Sequence, residues 1–563
     1  MSRLFRLAAA MAAASAALLI AGCGGGDGDD PPPTQRATTY GAVAGLDQSA
    51  TTGTYAWLGV PYAQPPVGEL RWAAPIEPQA WTGVRPAQEF GHSCAQGGRY
   101  FSPAPDGAPY GMAVREGFGK PVGEEDCLTL NIWRPADAQA NLPVILFIHG
   151  GSNISGYTAD PSYHGERIAR RRNAVVVTPN YRLGFLGWPD LPQHKTGEAQ
   201  ADSGNFALLD LMQALRFVRD NIGAFGGDPN SVTVMGHSAG AVNTWALVVS
   251  PLSAGLLHKA APLSGGIAFN TQAAARTYGQ GLLEAFVIAD GKATDSATAK
   301  TWLATQTNTQ VASWLRGLPA DELVAVMLAN PQLGNARAAI EDGTVLPVDS
   351  RAAVAAGNFN QVPMLVGNTR DEGTLFANLF GLYNGTGVAG FKPNDYDRFG
   401  LQFNFDPDAP ASLTEADLIN AAYLPVTAPG GWNAMTAVAT QGIFLSGLDA
   451  QLDSVAAAEP TKTWYYRFDW DEEPVPFNTV YGATHGMDVP FMFHNFGTNV
   501  FSFAFSSANA PGREALSDAM VGSLAAFART GDPNHAGLGV TWPNWPDRIV
   551  FDASPTQAQI TVE

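Results

Sequence analysis

Basic residues are scarce in this sequence, and the common cofactor-binding patterns are missing from it. Lysine and arginine together number 32 against 51 aspartate and glutamate residues, so the formal net charge is −19 at pH 7. This charge argues against nucleic acid as a partner and against a polybasic contact with a membrane. The sequence contains no phosphate-cradling lysine loop, no metal-ligand cluster and no internal repeat. We therefore expect neither a cofactor nor a metal ion.

Linkers are also missing beyond the first three dozen residues. The remaining chain can build a large core, because 46% of the residues are hydrophobic and only 15% are charged. Alternating strand and helix signals between Ala56 and Gly266 predict an α/β fold with a mixed, mostly parallel sheet between helices. Inserted helices are predicted between Thr271 and Ala329, and loops with short helices between Phe376 and Trp432. We expect one large domain over residues 38–563.

The N-terminus has the features of an export signal. Arg3 and Arg6 precede an apolar stretch over residues 7–20 that is too short for a usual transmembrane helix. The sequence IAGC at residues 20–23 resembles a bacterial lipobox. That resemblance implies cleavage before Cys23 and lipidation of this cysteine. A soluble secretory signal with a chance cysteine is the alternative.

An acidic segment rich in glycine and proline follows the signal. Residues 24–33 read GGGDGDDPPP, a composition typical of a flexible tether that proline stiffens. We predict a signal peptide over residues 1–22 and a tether over 23–37. The protein is then expected in a bacterial cell envelope, on the periplasmic or outer-membrane side, or alternatively secreted. Its membrane contact is expected only through the lipid anchor.

The motif GHSAG at residues 236–240 lies between the apolar run 232–235 and a helix-like segment over 241–247. Glycines two positions either side of the serine allow a sharp backbone turn that exposes the Ser238 hydroxyl. Ser238 is therefore a candidate nucleophile, and an ordinary strand-to-helix turn is the alternative. A nucleophilic serine also needs a base, an acid that orients the base, and N–H donors for an oxyanion.

A loop of small residues follows another apolar run. Residues 142–148, LPVILFI, predict a buried strand that leads directly into the HGGS segment over 149–152. Small residues let a substrate carbonyl approach the main chain. The N–H groups of Gly151 and Ser152 are therefore candidate oxyanion donors, with that of Ala239 as the third. A plain glycine turn is the alternative.

Two neighbouring carboxylates compete for the role of the acid. The buried strand predicted over residues 362–367 ends in NTRDEG, and charged residues at such a strand end are expected at an active-site rim. Neighbouring residues in an extended segment point in opposite directions, so only one of Asp371 and Glu372 faces the site. The residues alone leave this choice open.

Three histidines remain as candidates for the base. If the chain order is nucleophile, acid and histidine, these are His485, His494 and His535. His485 is favoured because it lies among small residues in the segment 481–488. A structural histidine is the alternative reading of this residue.

With these residues in place, the chain resembles the type-B carboxylesterase family, the cholinesterase-like branch of the α/β-hydrolases. Residues 225–240, FGGDPNSVTVMGHSAG, resemble its nucleophile signature, and 125–135, EDCLTLNIWRP, resemble its second signature. The resemblance extends from about Thr38 to the C-terminus. Shorter blocks similar to the family lie at 59–66 (GVPYAQPP), 180–185 (NYRLGF) and 527–534 (FARTGDPN).

The resemblance implies an α/β-hydrolase fold with insertions that cover an active-site gorge. It implies a serine hydrolase that cleaves small-molecule carboxylic esters through an acyl-enzyme intermediate. Position by position, the triad falls on Ser238, His485 and Glu372. The oxyanion donors fall on Gly151, Ser152 and Ala239.

Departures from the family pattern bear on the substrate. The residue before the nucleophile is usually glutamate in this family, and here it is His237. Cholinesterases also carry a tryptophan within their first disulfide loop for cation-π binding of quaternary ammonium. No tryptophan lies between Cys94 and Cys127. A choline ester is therefore not expected as the substrate.

The cysteine count predicts one disulfide bond. Of the three cysteines, lipidation of Cys23 would leave Cys94 and Cys127 in an oxidising compartment. The family resemblance implies the same pair. Closing a loop of this size contributes on the order of 3 kcal/mol by the chain-entropy estimate.

Two classes of function fit the resemblance. The first is a serine carboxylic-ester hydrolase, with carbamate or amide hydrolysis as a variant of the same chemistry. The second is a noncatalytic binding or adhesion module on the same fold. Members of that second class usually lack the serine or another part of the triad, and this chain keeps all of them. We therefore favour the hydrolase.

Overall fold

The computed structural model of the protein describes residues 32–137, 139–333, 338–383 and 385–563. The predicted signal peptide, Cys23 and most of the predicted tether lie outside these ranges. In the described ranges, no helix is both long and apolar enough to span a bilayer.

A large mixed sheet forms the centre of the described part of the chain. It has eleven strands in this part: β1 (Leu46–Gln48), β2 (Thr54–Pro61), β3 (Thr129–Pro135), β4 (Leu142–Ile148), β5 (Val175–Pro179), β6 (Gly227–His237), β7 (Lys259–Leu263), β8 (Met364–Thr369), β9 (Thr463–Phe468), β10 (Ile549–Ala553) and β11 (Ala558–Val562). Their spatial order is β11-β10-β9-β8-β7-β6-β4-β5-β3-β2-β1.

Strands β4 to β10 run parallel, and antiparallel strands flank them on both sides. All residues of β4 are buried, as expected for a parallel strand that is covered on both faces. Its side chains alternate between two hydrophobic layers: Ile145 and Phe147 join one, Val144 and Leu146 the other. The predicted α/β fold class is confirmed.

Helices cover the sheet and form the insertions. The α-helices are α1 (Glu166–Arg172), α2 (Gly184–Gly187), α3 (Phe206–Asn221), α4 (Ala239–Val249), α5 (Gln272–Ala289), α6 (Ser296–Ala304), α7 (Asn308–Gly317), α8 (Ala320–Ala329), α9 (Ser350–Ala355), α10 (Phe380–Tyr383), α11 (Asp395–Phe403), α12 (Glu415–Leu418), α13 (Trp432–Ala439), α14 (Leu448–Ala458), α15 (Phe477–Val480), α16 (Asp488–Phe493) and α17 (Ala510–Thr530). Helices α5 to α8 occupy the segment that was predicted to be an inserted helical region.

The predicted disulfide joins Cys94 and Cys127, which are 33 residues apart. A closed loop of this length contributes roughly 3 to 4 kcal/mol through the entropy of the unfolded chain. The bond restrains a loop that carries Tyr100 and Phe101, and both of these rings reach the cavity described below.

The folded part begins earlier than predicted. Residues Gln35–Ala37, assigned to the tether from composition, form a strand that pairs with Ala42–Ala44. The backbone oxygen of Thr34 accepts a 2.6 Å hydrogen bond from the Trp57 indole nitrogen, and the Arg36 guanidinium lies 5.4 Å from the centre of that ring. These contacts join the end of the predicted tether to the core, so the boundary at residue 38 is wrong by several residues.

Candidate active site

Ser238 lies in the tight turn between strand β6 and helix α4. Its backbone has φ 58° and ψ −120°, a combination that costs an L-residue roughly 1 to 3 kcal/mol. The Ser238 N–H donates a 2.8 Å hydrogen bond to the carbonyl oxygen of Leu263 in β7. The turn is therefore fixed by the neighbouring parallel strand, and the Ser238 side chain lines a cavity.

This turn requires glycine at both outer positions of the GHSAG motif, because no side chain fits at either one. A Cβ atom on Gly236 would lie 2.1 Å from the carbonyl oxygen of Gly240. A Cβ atom on Gly240 would lie 2.0 Å from the carbonyl oxygen of Ile148, at the end of β4. Helix α4 therefore packs directly against the strand that carries the small-residue loop.

Glu372 and His485 are joined by a short hydrogen bond between Oε2 of the carboxylate and Nδ1 of the imidazole. Glu372 is fully buried, and its other oxygen accepts hydrogen bonds from Thr369 N–H (2.9 Å) and from the Asn368 amide (3.1 Å). The Nε2 atom of His485 is buried and has no hydrogen-bond partner among the described residues. That nitrogen is free to accept a proton from another group.

Asp371, the other candidate for the acid, has a different position. Its carboxylate pairs with Arg370 at 2.8 Å and accepts a 3.1 Å hydrogen bond from Ala483 N–H. The Asp371 N–H in turn donates to the carbonyl oxygen of Ala483 at 3.0 Å. Asp371 thus connects the loop after β8 to the loop that carries His485, and it is Glu372 that contacts the imidazole.

The other two candidate histidines lie in contacts of their own. His494 Nδ1 is 2.8 Å from Ser517 Oγ, and burial lowers the pKa of His494 to about 4. His535 Nε2 is 3.1 Å from the carbonyl oxygen of Ala519. Neither lines the cavity that contains Ser238.

The small-residue loop after β4 lies against Ser238. A Cβ atom on Gly150 would lie 3.0 Å from Ser238 Cβ. Gly151 has a φ of +99°, and its carbonyl oxygen accepts hydrogen bonds from Ile154 and Ser155 N–H. Within the described ranges, the N–H groups of Gly151, Ser152 and Ala239 make no hydrogen bond. They are available to an acceptor beside Ser238.

A cavity of about 530 Å³ brings these groups together. Its lining includes Ser238, His485 and the loop residues Gly151 and Ser152. Aromatic and aliphatic side chains make up most of the remaining wall: Tyr100, Phe101, Tyr163, Leu375, Phe376, Leu379, Ile443, Val489, Val500 and Phe501. A cavity of this size that is largely apolar, with a few convergent polar groups, fits a small organic ligand.

A π-helical turn over Thr440–Leu445 supports the pair formed by Glu372 and His485. Thr440 Oγ1 accepts a 2.9 Å hydrogen bond from the N–H of Gly373, directly after Glu372. The centre of the Phe444 ring lies 4.6 Å from that of the His485 ring, and the Phe376 ring meets the His485 ring edge-on at 5.1 Å. Such turns frequently occur at functional sites.

His237, which stands where glutamate is usual, packs against His485. The ring centres are 4.5 Å apart. Burial lowers the pKa of His237 well below its ordinary value, and the charge that His485 carries when protonated lowers it further. His237 is therefore neutral, and no negative charge occupies this position.

A model of the carboxylesterase family matches residues 32–558. The chain belongs to the carboxylesterase family. It is a carboxylic ester hydrolase of the serine-hydrolase type, and its fold is the α/β-hydrolase fold.

The carboxylesterase is similar over nearly its whole length to characterised relatives. It is 30% identical to the para-nitrobenzyl esterase of Bacillus subtilis over 93% of this chain and 95% of that protein. It is 31% identical to the fumonisin B1 esterase of Sphingopyxis macrogoltabida, with coverages of 91% and 85%. The crystal structure of a Geobacillus stearothermophilus carboxylesterase matches with a TM-score of 0.70 and 29% identity, over 94% of this chain and 98% of that one.

Several residues of the carboxylesterase site carry no local sequence signal. Thr440 and Phe444 lie in no motif, and the π-helical turn that positions them has no recognisable pattern. Asp395 and Arg398, which line the cavity, come from the segment predicted to contain loops and short helices, and nothing in that segment marks them. Only the packing of the insertion over the sheet brings them to Ser238.

The neutral state of His237 predicts how activity responds to pH. The variant His237→Gln keeps this position uncharged, so the acid limb of kcat/KM should stay where it is. In His237→Glu, a carboxylate beside His485 stabilises the imidazolium, and the acid limb should move to higher pH by about 1 unit. The measurement is kcat/KM for 4-nitrophenyl butyrate between pH 5 and 9. A shifted limb in His237→Gln would show instead that His237 itself titrates in this range.

The buried carboxyl group of Asp488 is expected to make the stability of the protein depend on pH. Burial, together with the charge of Glu372, raises the pKa of this carboxyl to about 6, although Tyr466 donates a 2.7 Å hydrogen bond to it. Because the pKa is higher in the folded state than in the unfolded state, Asp488 lowers stability as pH rises from about 4 to 6. The variant Asp488→Asn should therefore gain up to about 3 kcal/mol in unfolding free energy at pH 8 and almost none at pH 4. Urea unfolding at both pH values tests this, and a gain that does not depend on pH would contradict it.

Proposed function

We propose that the carboxylesterase uses Ser238, His485 and Glu372 as a catalytic triad. The observation that carries this proposal is the state of His485. Its Nδ1 atom is held by the buried Glu372, and its Nε2 atom has no partner and shares a cavity with Ser238. A histidine held on one side and free on the other is suited to accept a proton from a serine hydroxyl.

In the first half of the proposed reaction, Ser238 Oγ attacks the carbonyl carbon of the ester while His485 Nε2 takes its proton. The imidazolium then returns that proton to the leaving oxygen as the carbon–oxygen bond breaks. The alcohol departs, and the acyl group stays on Ser238. Glu372 lowers the free energy of the imidazolium through its charge and its hydrogen bond to Nδ1.

In the second half, water replaces the alcohol. His485 takes a proton from the water as its oxygen attacks the acyl carbon, and the proton then passes to Ser238 Oγ as the acyl bond breaks. Each attack places a negative charge on the former carbonyl oxygen. The N–H groups of Gly151, Ser152 and Ala239 are proposed to donate to that oxygen, because they adjoin Ser238 and have no other acceptor within the described ranges.

The neighbouring acids Asp371 and Glu372 provide a matched test of the triad. We expect Glu372→Gln to lower kcat by about 10³- to 10⁴-fold, because the imidazolium loses its compensating charge. Asp371→Asn should keep most of the activity, because its hydrogen bond from Ala483 N–H survives and its charge faces Arg370. Ser238→Ala should remove turnover. The measurements are kcat and KM for 4-nitrophenyl butyrate, with thermal unfolding as the control for folding.

Labelling identifies the nucleophile independently of turnover. An organophosphonate should add once to the wild-type enzyme, on Ser238, and mass spectrometry of the digested protein locates the adduct. An adduct on another residue would overturn the role of Ser238. Loss of activity in Asp371→Asn but not in Glu372→Gln would overturn the assignment of the acid. A folded protein with neither turnover nor adduct would favour the binding-module alternative.

We also propose that the enzyme is exported and lipid-anchored through Cys23, with residues 1–22 as the cleaved signal. The support is the sequence of the N-terminus, which lies outside the described ranges, together with the disulfide between Cys94 and Cys127, which suits an oxidising compartment. Such an anchor would hold the enzyme at a membrane surface of the cell envelope.

Expression of the full chain in a bacterial host tests the anchor. The wild-type enzyme and Ser238→Ala, which leaves residues 20–23 intact, should enter the detergent phase in Triton X-114 partitioning and incorporate labelled palmitate. Cys23→Ser should remain in the aqueous phase without label. Equal partitioning of Cys23→Ser and the wild type would contradict lipidation at this residue.

A further inference from the structure

The charged groups that line the active-site cavity differ in sign from the protein as a whole. The protein has a formal net charge of −19, yet the arginine and acidic side chains in the cavity lining are Arg99, Arg398 and Asp395. Two guanidinium groups thus face one carboxylate, and His237 adds no negative charge beside the nucleophile. The wall of the cavity carries an excess of positive charge.

Arg398 is a fixed part of this wall. It is 3% exposed, and its guanidinium donates a 2.8 Å hydrogen bond to Asp395. The same group lies over the ring of Phe391 at 4.1 Å and over that of Tyr100 at 4.8 Å. Arg398 therefore forms an ion pair with Asp395, and the rings of Phe391 and Tyr100 fix the orientation of its guanidinium.

Of the two arginines that line the cavity, Arg99 is the one without an ion-pair partner among the described residues. Asp395 is the acidic group whose charge acts on it, but that carboxylate is bonded to Arg398. The backbone of Arg99 is held in place, because its N–H donates a 2.8 Å hydrogen bond to Ser102 Oγ and its carbonyl oxygen accepts one of 2.8 Å from the same hydroxyl. Arg99 is an exposed residue and belongs to the lining of the cavity.

An arginine that lines a substrate cavity and has no carboxylate of its own is suited to bind one from the substrate. The planar guanidinium can donate two parallel hydrogen bonds to a carboxylate. A neutral ester would leave this charge unpaired, and a cationic one would be repelled.

We propose that Arg99 determines specificity for esters that carry a free carboxylate elsewhere in the molecule. This inference rests on the proposed function at Ser238. Arg99 binds this carboxylate while the ester group lies at Ser238. Monoesters of dicarboxylic acids and esters of hydroxy acids belong to this substrate class.

Paired substrates that differ only in this charge test the proposal. For a carboxylate in the acyl part, the pair is mono-4-nitrophenyl suberate and its neutral terminal amide. For a carboxylate in the alcohol part, the pair is 4-carboxyphenyl butyrate and 4-carbamoylphenyl butyrate. The preference is the kcat/KM for the anionic substrate divided by the kcat/KM for its neutral partner. We expect this ratio to exceed 1 for the wild-type enzyme in at least one pair.

In Arg99→Gln this ratio should fall by about 10- to 100-fold, the usual effect of losing a hydrogen bond to a charged group. Arg99→Lys keeps the charge and should recover part of the preference. Arg115→Gln is the matched control, since Arg115 lies near Asp397 and Tyr396 outside the cavity lining, and it should leave the ratio unchanged. The preference should also weaken as salt increases.

The outcomes separate this inference from the proposed function. If the wild type hydrolyses the neutral esters and Ser238→Ala does not, the proposed function stands whatever the ratios are. With that activity present, no anionic preference in either pair, or a preference that persists in Arg99→Gln, would overturn the role of Arg99. If no ester of either kind is hydrolysed by folded enzyme, the proposed function itself fails.

Discussion

The close backbone contact between helix α4 and strands β4 and β6 is the constraint on which the site depends. It exists because Gly236 and Gly240 have no side chains, and a Cβ on either would overlap a carbonyl oxygen. The contact places Ser238 in a strained turn, and it places the loop after β4 against that residue. The strain is maintained by the buried parallel sheet around it, in which β4 is fully buried.

Two buried groups contact His485, and their hydrogen bonding differs. Glu372 is fully buried, and its oxygens are bonded by Thr369, Asn368 and the imidazole. A buried carboxylate with this many donors is much less costly than an unpaired one. His237 has no such partners for its Nε2 atom and is neutral. Glu372 is thus held by hydrogen bonds on both of its oxygens, whereas burial keeps His237 neutral.

The proposed triad and the wall of the cavity come from different parts of the molecule. The sheet and its loops carry Ser238, Glu372 and His485. The wall that a substrate would contact comes from the disulfide-closed loop, which carries Arg99 and Tyr100, and from α11, which carries Asp395 and Arg398. An enzyme about 30% identical to its relatives can thus share their fold and differ in its substrate.

The sequence by itself determined the α/β class, the disulfide pair and Ser238 as candidate nucleophile, because apolar runs, cysteine count and glycine spacing are local signals. It did not choose between Asp371 and Glu372 without the family resemblance, and it placed the start of the folded part too late. Only the tertiary structure decided which carboxylate meets His485, and it alone brought Thr440, Phe444 and Arg398 to the site. These contacts join segments far apart in the chain, and the packing of an insertion over the sheet leaves no periodic pattern in the sequence.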